Sequence, residues 1–266
     1  MSRVGAYKGV FMPFSDSLGD PLLPWAVAAV VLAGVVRGVS GFGQGLVFIP
    51  LAGLLYQPKF AVPLLWVADA LVTPLLLRPH ARRAEWAEIV PLAIGGTALL
   101  PAGIWILNHL DPTMLRWVIC LIVLLSTAGI AAGWRVQLKP TRLLALGVGG
   151  LSGLVGGATG MTGVPLVLFW LGRDTDAARL RSNVFIFLWL VGLVSLAAGA
   201  VQGLLGSRVL WEGLILAPCY AVATVLGNLI FHRTHGDSTL AREAMFRRLA
   251  LGLCAASAVA GLPVWR

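Results

Sequence analysis

Charge is what this sequence is short of. It has 20 Lys or Arg and 11 Asp or Glu among 266 residues, 12% in all, where a soluble domain carries about 25%. That is too little polar surface to clothe a soluble core of this size, and no polar stretch is long enough to form a soluble domain. Cysteine is scarce too. Cys120, Cys219 and Cys254 stand singly inside apolar runs with no Cys-x-x-Cys pair, so they read as small core hydrophobes rather than metal ligands or disulfides. The four histidines, His80, His109, His232 and His235, all fall in loops or at segment ends. Residues 1–21 are mixed and polar and lack the apolar core and cleavage site of a signal peptide.

What is there is apolar. The chain is 58% hydrophobic with a mean hydropathy of +0.88. Apolar segments fall at about 24–56, 60–77, 88–108, 114–133, 142–171, 181–204, 212–231 and 245–262. A run of about 17–25 residues crosses the hydrocarbon core, so the chain reads as an all-α integral membrane protein in contact with the lipid bilayer. The net charge of +9 and pI near 10.5 do not indicate nucleic acid. The bases sit in loops between apolar segments, where membrane insertion places them, and form no basic stripe with interleaved aromatics.

Two segments, 24–56 and 142–171, are too long for one span, and glycine clusters interrupt both: Gly38-Val39-Ser40-Gly41-Phe42-Gly43-Gln44-Gly45 and Gly156-Gly157-Ala158-Thr159-Gly160-Met161-Thr162-Gly163. Glycine costs a helix roughly 1 kcal/mol per residue, so such clusters predict unwound backbone. At membrane depth that survives only where protein or a wet cavity satisfies its polar groups. The clusters correspond. Ser40-Gly41 precedes Thr159-Gly160 by 119 residues, and the same offset pairs Gly34 with Gly153 and Gly38 with Gly157. The chain therefore reads as one transmembrane unit over 22–264 built of two repeats, about 22–135 and 140–264, behind a short polar segment at 1–21. Each repeat opens with a broken helix, either spanning or re-entrant, followed by three transmembrane helices. Broken helices at matching positions of two repeats point to a transporter's binding site.

The spacing Gly38-x-x-Gly41-Phe42-Gly43-x-Gly45 with Pro50, and Gly153-x-x-Gly156-x-x-x-Gly160-x-x-Gly163-Val164-Pro165 in the second half, resembles the sulfite exporter TauE/SafE family of anion transporters over nearly the whole chain. The sequence departs from that family at Leu64-Leu65 after Pro63, where a Thr-Ser pair is common, and at Gly163-Val164-Pro165, where Gly-Pro-Pro or Gly-Gly-Gly is common. The resemblance implies a secondary transporter of sulfite, sulfoacetate or another organosulfonate in a bacterial inner membrane.

Only Arg37 and Asp69 are charges far from a segment end. Arg37 is about 20 Å into its helix at about 1.5 Å per residue, where an arginine normally faces a cavity or a partner. It is expected either to supply positive charge to an anion or to pair with Asp69 and pin the broken helix to the next span. Ser40, Gln44, Thr159 and Thr162 add neutral hydrogen-bonding groups. Backbone N–H groups at Gly41, Gly43, Gly45, Gly160 and Gly163 lie at the starts of the half-helices 42–56 and 161–171, where the helix dipole favours an oxyanion. Asn183 is a pore-lining candidate, while Arg179 and Arg181 beside it read as loop charges near the interface.

The sequence points away from an enzyme. Gly38-Val39-Ser40-Gly41 matches the Gly-x-Ser-Gly of rhomboid-type proteases, but no histidine shares depth with Ser40 to act as its base. The Gly-Gly-Ala-Thr-Gly run lacks a P-loop lysine. No metal-ligand spacing occurs and no cofactor is expected. The alternatives to a carrier are a non-transporting scaffold or assembly protein and a channel-like anion facilitator. Proton coupling and oligomeric state are not fixed by the sequence. For topology, two hairpins plus six spans put 13 basic residues on one side and 6 on the other, whereas eight crossings split them 10 to 9. The positive-inside bias favours the hairpins, with both termini outside.

Overall fold

The computed structural model describes residues 21–132, 141–171, 177–237 and 240–265. Ten α-helices follow one another in these residues: α1 (Leu23–Ser40), α2 (Gln44–Leu55), α3 (Pro58–Ala81), α4 (Trp86–His109), α5 (Pro112–Ala131), α6 (Arg142–Thr159), α7 (Gly163–Leu171), α8 (Ala177–Val201), α9 (Ser207–Asp237) and α10 (Leu240–Gly261), then a 3₁₀ turn at Pro263–Trp265. Helices satisfy their own backbone, which hydrocarbon demands. Seven of them (α1, α3, α4, α5, α6, α8 and α9) contain stretches long and apolar enough to cross a membrane. The spans stand within a few residues of the hydropathy segments.

The breaks are narrower than the glycine clusters suggest. Only 41–43 and 160–162 leave the helix, while Gly38, Gly45, Gly156 and Gly157 are helical. The first break has Gly41 at φ 84° and Gly43 at φ 90°, and the second has Gly160 at φ 74°, a region closed to most side chains. Both first halves end alike. The Gly41 N–H closes on the Arg37 carbonyl and the Gly160 N–H on the Gly156 carbonyl, each at 2.7 Å. Ser40 and Thr159 donate to the carbonyls four residues back, Val36 and Val155, each at 2.7 Å.

The remaining glycines let backbones touch. On α6, Gly149, Gly153 and Gly157 recur every fourth residue against α4, and a Cβ on Gly153 would overlap the Gly96 carbonyl. On α1, Gly34 and Gly38 lie against Ala223, Thr224 and Gly227 of α9. Small residues at this spacing are how membrane helices approach without a hydrophobic driving force.

These contacts fix chain direction. Gly34 meets Tyr220 and Gly38 meets Thr224, so α1 runs parallel to α9; Gly95 meets Leu146 and Gly103 meets Leu154, so α6 runs parallel to α4. Gly213 meets Leu64 and Tyr220 bonds Asp69, so α9 is parallel to α3. Since α3 and α4 are antiparallel across the short 82–85 connection, α1 and α6 run in opposite senses. After each break the chain turns back: α2 packs along α1, and α7 along α6. Tyr56, after the end of α2, accepts from Arg116 at the start of α5, and Trp170 near the end of α7 donates to Glu88 at the start of α4, 2.9 Å. Each short half-helix thus ends at the face from which its longer partner set out. The helix pairings exchange too: α1 on α9 answers α6 on α4, and α9 on α3 answers α4 on α8. This arrangement is consistent with two inverted repeats.

Candidate functional site

The two breaks meet inside the bundle. A Cβ on Gly45 would sit 2.5 Å from the Gly160 carbonyl oxygen, and one on Gly163 would sit 3.4 Å from Phe42 Cβ. Beside this contact lies a small, partly open cavity. Residues 42–46 of the first tip and 160–164 of the second form two of its walls. Leu65, Trp66 and Asp69 from the middle of α3, and Leu188, Gly192 and Ser195 from α8, form the others.

Both short half-helices start at this cavity. The N-termini of α2 at Gln44 and of α7 at Gly163 lie on its lining. The first N–H groups of a helix have no partner within it and carry the positive end of its dipole. Two such ends converging on one space from opposite repeats favour an anion there. Gln44 and Thr162 bring side-chain polar groups to the same wall, and the Gln44 Oε1 is buried without a hydrogen-bond partner.

The charged pair stands at one edge. Arg37 Nη1 lies 3.2 Å from Asp69 Oδ1, with the arginine side chain 0% and the aspartate 14% exposed. Arg37 Nη2 donates to Thr73 Oγ1 at 2.7 Å, and its guanidinium rests over the Phe185 ring, 4.9 Å from the centroid. Tyr220 from α9 donates its hydroxyl to Asp69 Oδ1 at 3.0 Å. Asp69 lines the cavity and Arg37 does not. The guanidinium stands behind the carboxylate, and Arg37 Nε is buried with no hydrogen-bond partner.

The other expected residues divide into two groups. Gly43, Gln44, Gly45, Gly160, Thr162 and Gly163 line the cavity. Ser40, Gly41, Thr159 and Asn183 do not. The Ser40 hydroxyl lies 2.7 Å from the Val36 carbonyl and 2.5 Å from that of Phe42, so its single proton serves the tip's own backbone. Thr159 bonds back into α6, as noted above. Gly41 packs on the Arg181 side chain. Asn183 accepts the Glu85 N–H at 2.9 Å and ties the 82–85 connection to α8.

Arg181 is not an interfacial loop charge. Its residue is 3% exposed. It donates to the Gly38 carbonyl and to Asn228 Oδ1, the latter at 2.8 Å, and its guanidinium lies 5.7 Å from the Phe185 centroid. It therefore sits at the C-terminal end of α1, where the helix dipole favours a cation. Its neighbour Ser182 is 3.1 Å from His80 Nδ1, and the His80 ring stacks on Phe185 at 4.3 Å. The signal was the polar run Arg181-Ser182-Asn183, too close to a segment end to mark burial. Tyr220, Trp66 and Ser195 had no signal, being single residues in apolar spans.

Among the described residues no group of three or more His, Cys, Asp or Glu side chains is placed to hold a metal ion. The family model described as Sulfite exporter TauE/SafE matches residues 26–261. Comparison with curated proteins and with solved structures found no match.

Proposed function

The chain belongs to the sulfite exporter TauE/SafE family, whose members carry sulfur anions such as sulfite across membranes, and from that premise we propose that it is a secondary carrier whose substrate sits in the cavity between the two broken-helix tips. The substrate is a small sulfur oxyanion, sulfite or an organosulfonate such as sulfoacetate. The observation that carries this reading is the convergence of the α2 and α7 N-termini on one cavity inside the bundle. Each end presents the first turn of a helix, with the positive end of its dipole, to an oxyanion, and Gln44 and Thr162 add side-chain groups. The seven spanning helices and the family make it a multi-pass membrane protein, which this reading places in a bacterial inner membrane. Opposite chain directions in the two halves suit alternating access, in which one repeat rocks against the other around a fixed central site. Purified protein in proteoliposomes should move labelled sulfite, thiosulfate or sulfoacetate. Absence of flux for all three, with protein correctly inserted, would overturn the reading.

A further inference from the structure

Among the described residues, the one ionisable side chain on the cavity wall is a carboxylate, in a site read above as holding an anion. An anion in the cavity has the Asp69 carboxylate on its wall, whereas Arg37 is off the wall and its positive charge is cancelled locally by the ion pair at 3.2 Å. Like charges at close range in a poorly screened interior repel strongly. The geometry thus sets the anion and the Asp69 charge in competition for the same guanidinium.

Resting on the transport reading, we propose that Asp69 is the coupling residue. It takes up one proton when the cavity takes up one anion, and the two cross the membrane together. The step is a protonation alone: the carboxylate becomes a carboxylic acid, no other bond changes, and the proton leaves when the anion leaves. Protonation removes the opposing charge and leaves Arg37 uncompensated behind the cavity wall. The unpartnered Arg37 Nε shows donor capacity beyond that used by Asp69 and Thr73. Ionisable groups inside a membrane bundle, paired with one another, are the usual parts of such proton steps.

The surroundings of Asp69 fit this role. From α1 it faces Arg37, and from α9 the Tyr220 hydroxyl. Arg181 of α8 lies farther back, on the same Phe185 ring as Arg37. The remaining polar side chains on the wall, Gln44 from α2, Thr162 from the second tip and Ser195 from α8, do not titrate, and α4 and α5 contribute nothing to it. Among the described residues no second carboxylate on the wall can take the proton instead. Tyr220 can go on donating to a protonated Asp69, so the wall holds its shape in both states.

The test uses the full chain in proteoliposomes with a pH dye inside and thiosulfate or sulfoacetate as the probe, since both stay ionised across the working pH range. A thiosulfate gradient should drive protons in the same direction as the anion, and flux should fall as pH rises. Asp69→Asn should exchange the anion with no proton movement and no pH dependence. Tyr220→Phe keeps the carboxylate but removes one donor to it, so its flux should persist to higher pH than wild type with proton movement intact. Anion flux in the wild type without proton movement overturns the proposal, as does proton movement surviving in Asp69→Asn. If that variant does not fold, an unchanged pH profile in Tyr220→Phe overturns it equally. No flux of any probe in the wild type defeats the transport reading itself, a distinct outcome.

Discussion

Gly192 of α8 and Asp69 of α3 line the same cavity, and a Cβ built on Gly192 meets no atom within 4 Å. That makes Gly192 the cleanest place to occupy the space. Gly43 and Gly160 also line it, but both sit at positive φ, where any side chain strains the backbone before it blocks a ligand. Gly192→Val should abolish anion uptake with little change in thermal stability. Uptake by proteoliposomes and a melting curve in detergent check both halves; normal uptake would remove the substrate from this cavity.

The ion pair predicts an asymmetry. Arg37→Ala strands Asp69 in a largely buried site, and breaking a buried pair from one side costs about 3–5 kcal/mol. Thr73 and Tyr220 would soften that loss without replacing the charge. Combining Arg37→Ala with Asp69→Asn removes the stranded charge, so the double variant should be more stable than Arg37→Ala alone. A double-mutant cycle from thermal or chemical unfolding in detergent measures the coupling. Strict additivity would mean that the pair at 3.2 Å contributes nothing.

The glycines of α6 separate by what they touch. A Cβ on Gly153 overlaps the Gly96 backbone, whereas Gly147, on the same helix, has nothing within 4 Å. Gly153→Ala should destabilise by about 1–3 kcal/mol through overpacking. Gly147→Ala should be neutral or stabilising by up to about 1 kcal/mol, the usual helix-propensity difference. Melting temperatures of the two variants should therefore move in opposite directions, or only the Gly153 variant should move.

Those glycines also show what the sequence could and could not tell. Span positions were legible because hydrocarbon solvation demands long apolar helices, and hydropathy reports that directly. The offset of 119 residues was legible as well, and it pairs Gly41 with Gly160 at the same left-handed cap and Gly34 and Gly38 with Gly153 and Gly157 as packing positions. Which glycines unwind was not legible. A glycine that breaks a helix and one that admits a neighbouring backbone leave the same letter at similar spacings. Only φ at Gly41, Gly43 and Gly160 separates them. Arg181 escaped for a related reason. Its distance from the segment end placed it near the interface, but the end of α1 reaches that level and buries it. Asn183 read as pore-lining because it is polar and early in a span, yet its partner is the backbone of a loop nearly a hundred residues away in sequence.

The last expectation is orientation. The helix directions put the 82–85 connection at one end of the bundle, with Arg179 reaching Glu85 there at 2.7 Å. Lys59, Arg116 and Arg208 gather at the other end: Lys59 donates to the Asn108 carbonyl, Arg116 to that of Tyr56, and Arg208 lies over the Tyr56 and Phe60 rings. Because the chain reverses at each break, α1 starts at this second end and α10 finishes there. Positive residues in short loops are retained in the cytoplasm. Leaving out the buried Arg37 and Arg181, the first end carries 12 of the other 18 Lys and Arg if the basic residues of 1–20, 133–140, 172–176, 231–250 and 266 follow the same alternation. The 82–85 loop should therefore be cytoplasmic and both termini outside. Paired reporter fusions, one active only in the cytoplasm and one only outside it, at both termini and in the loop, check this directly. Termini and loop on opposite sides agree with the reversals at Gly41–Gly43 and Gly160–Thr162. All three on one side would mean that the broken helices cross rather than turn back, and the two N-termini could not then face one cavity.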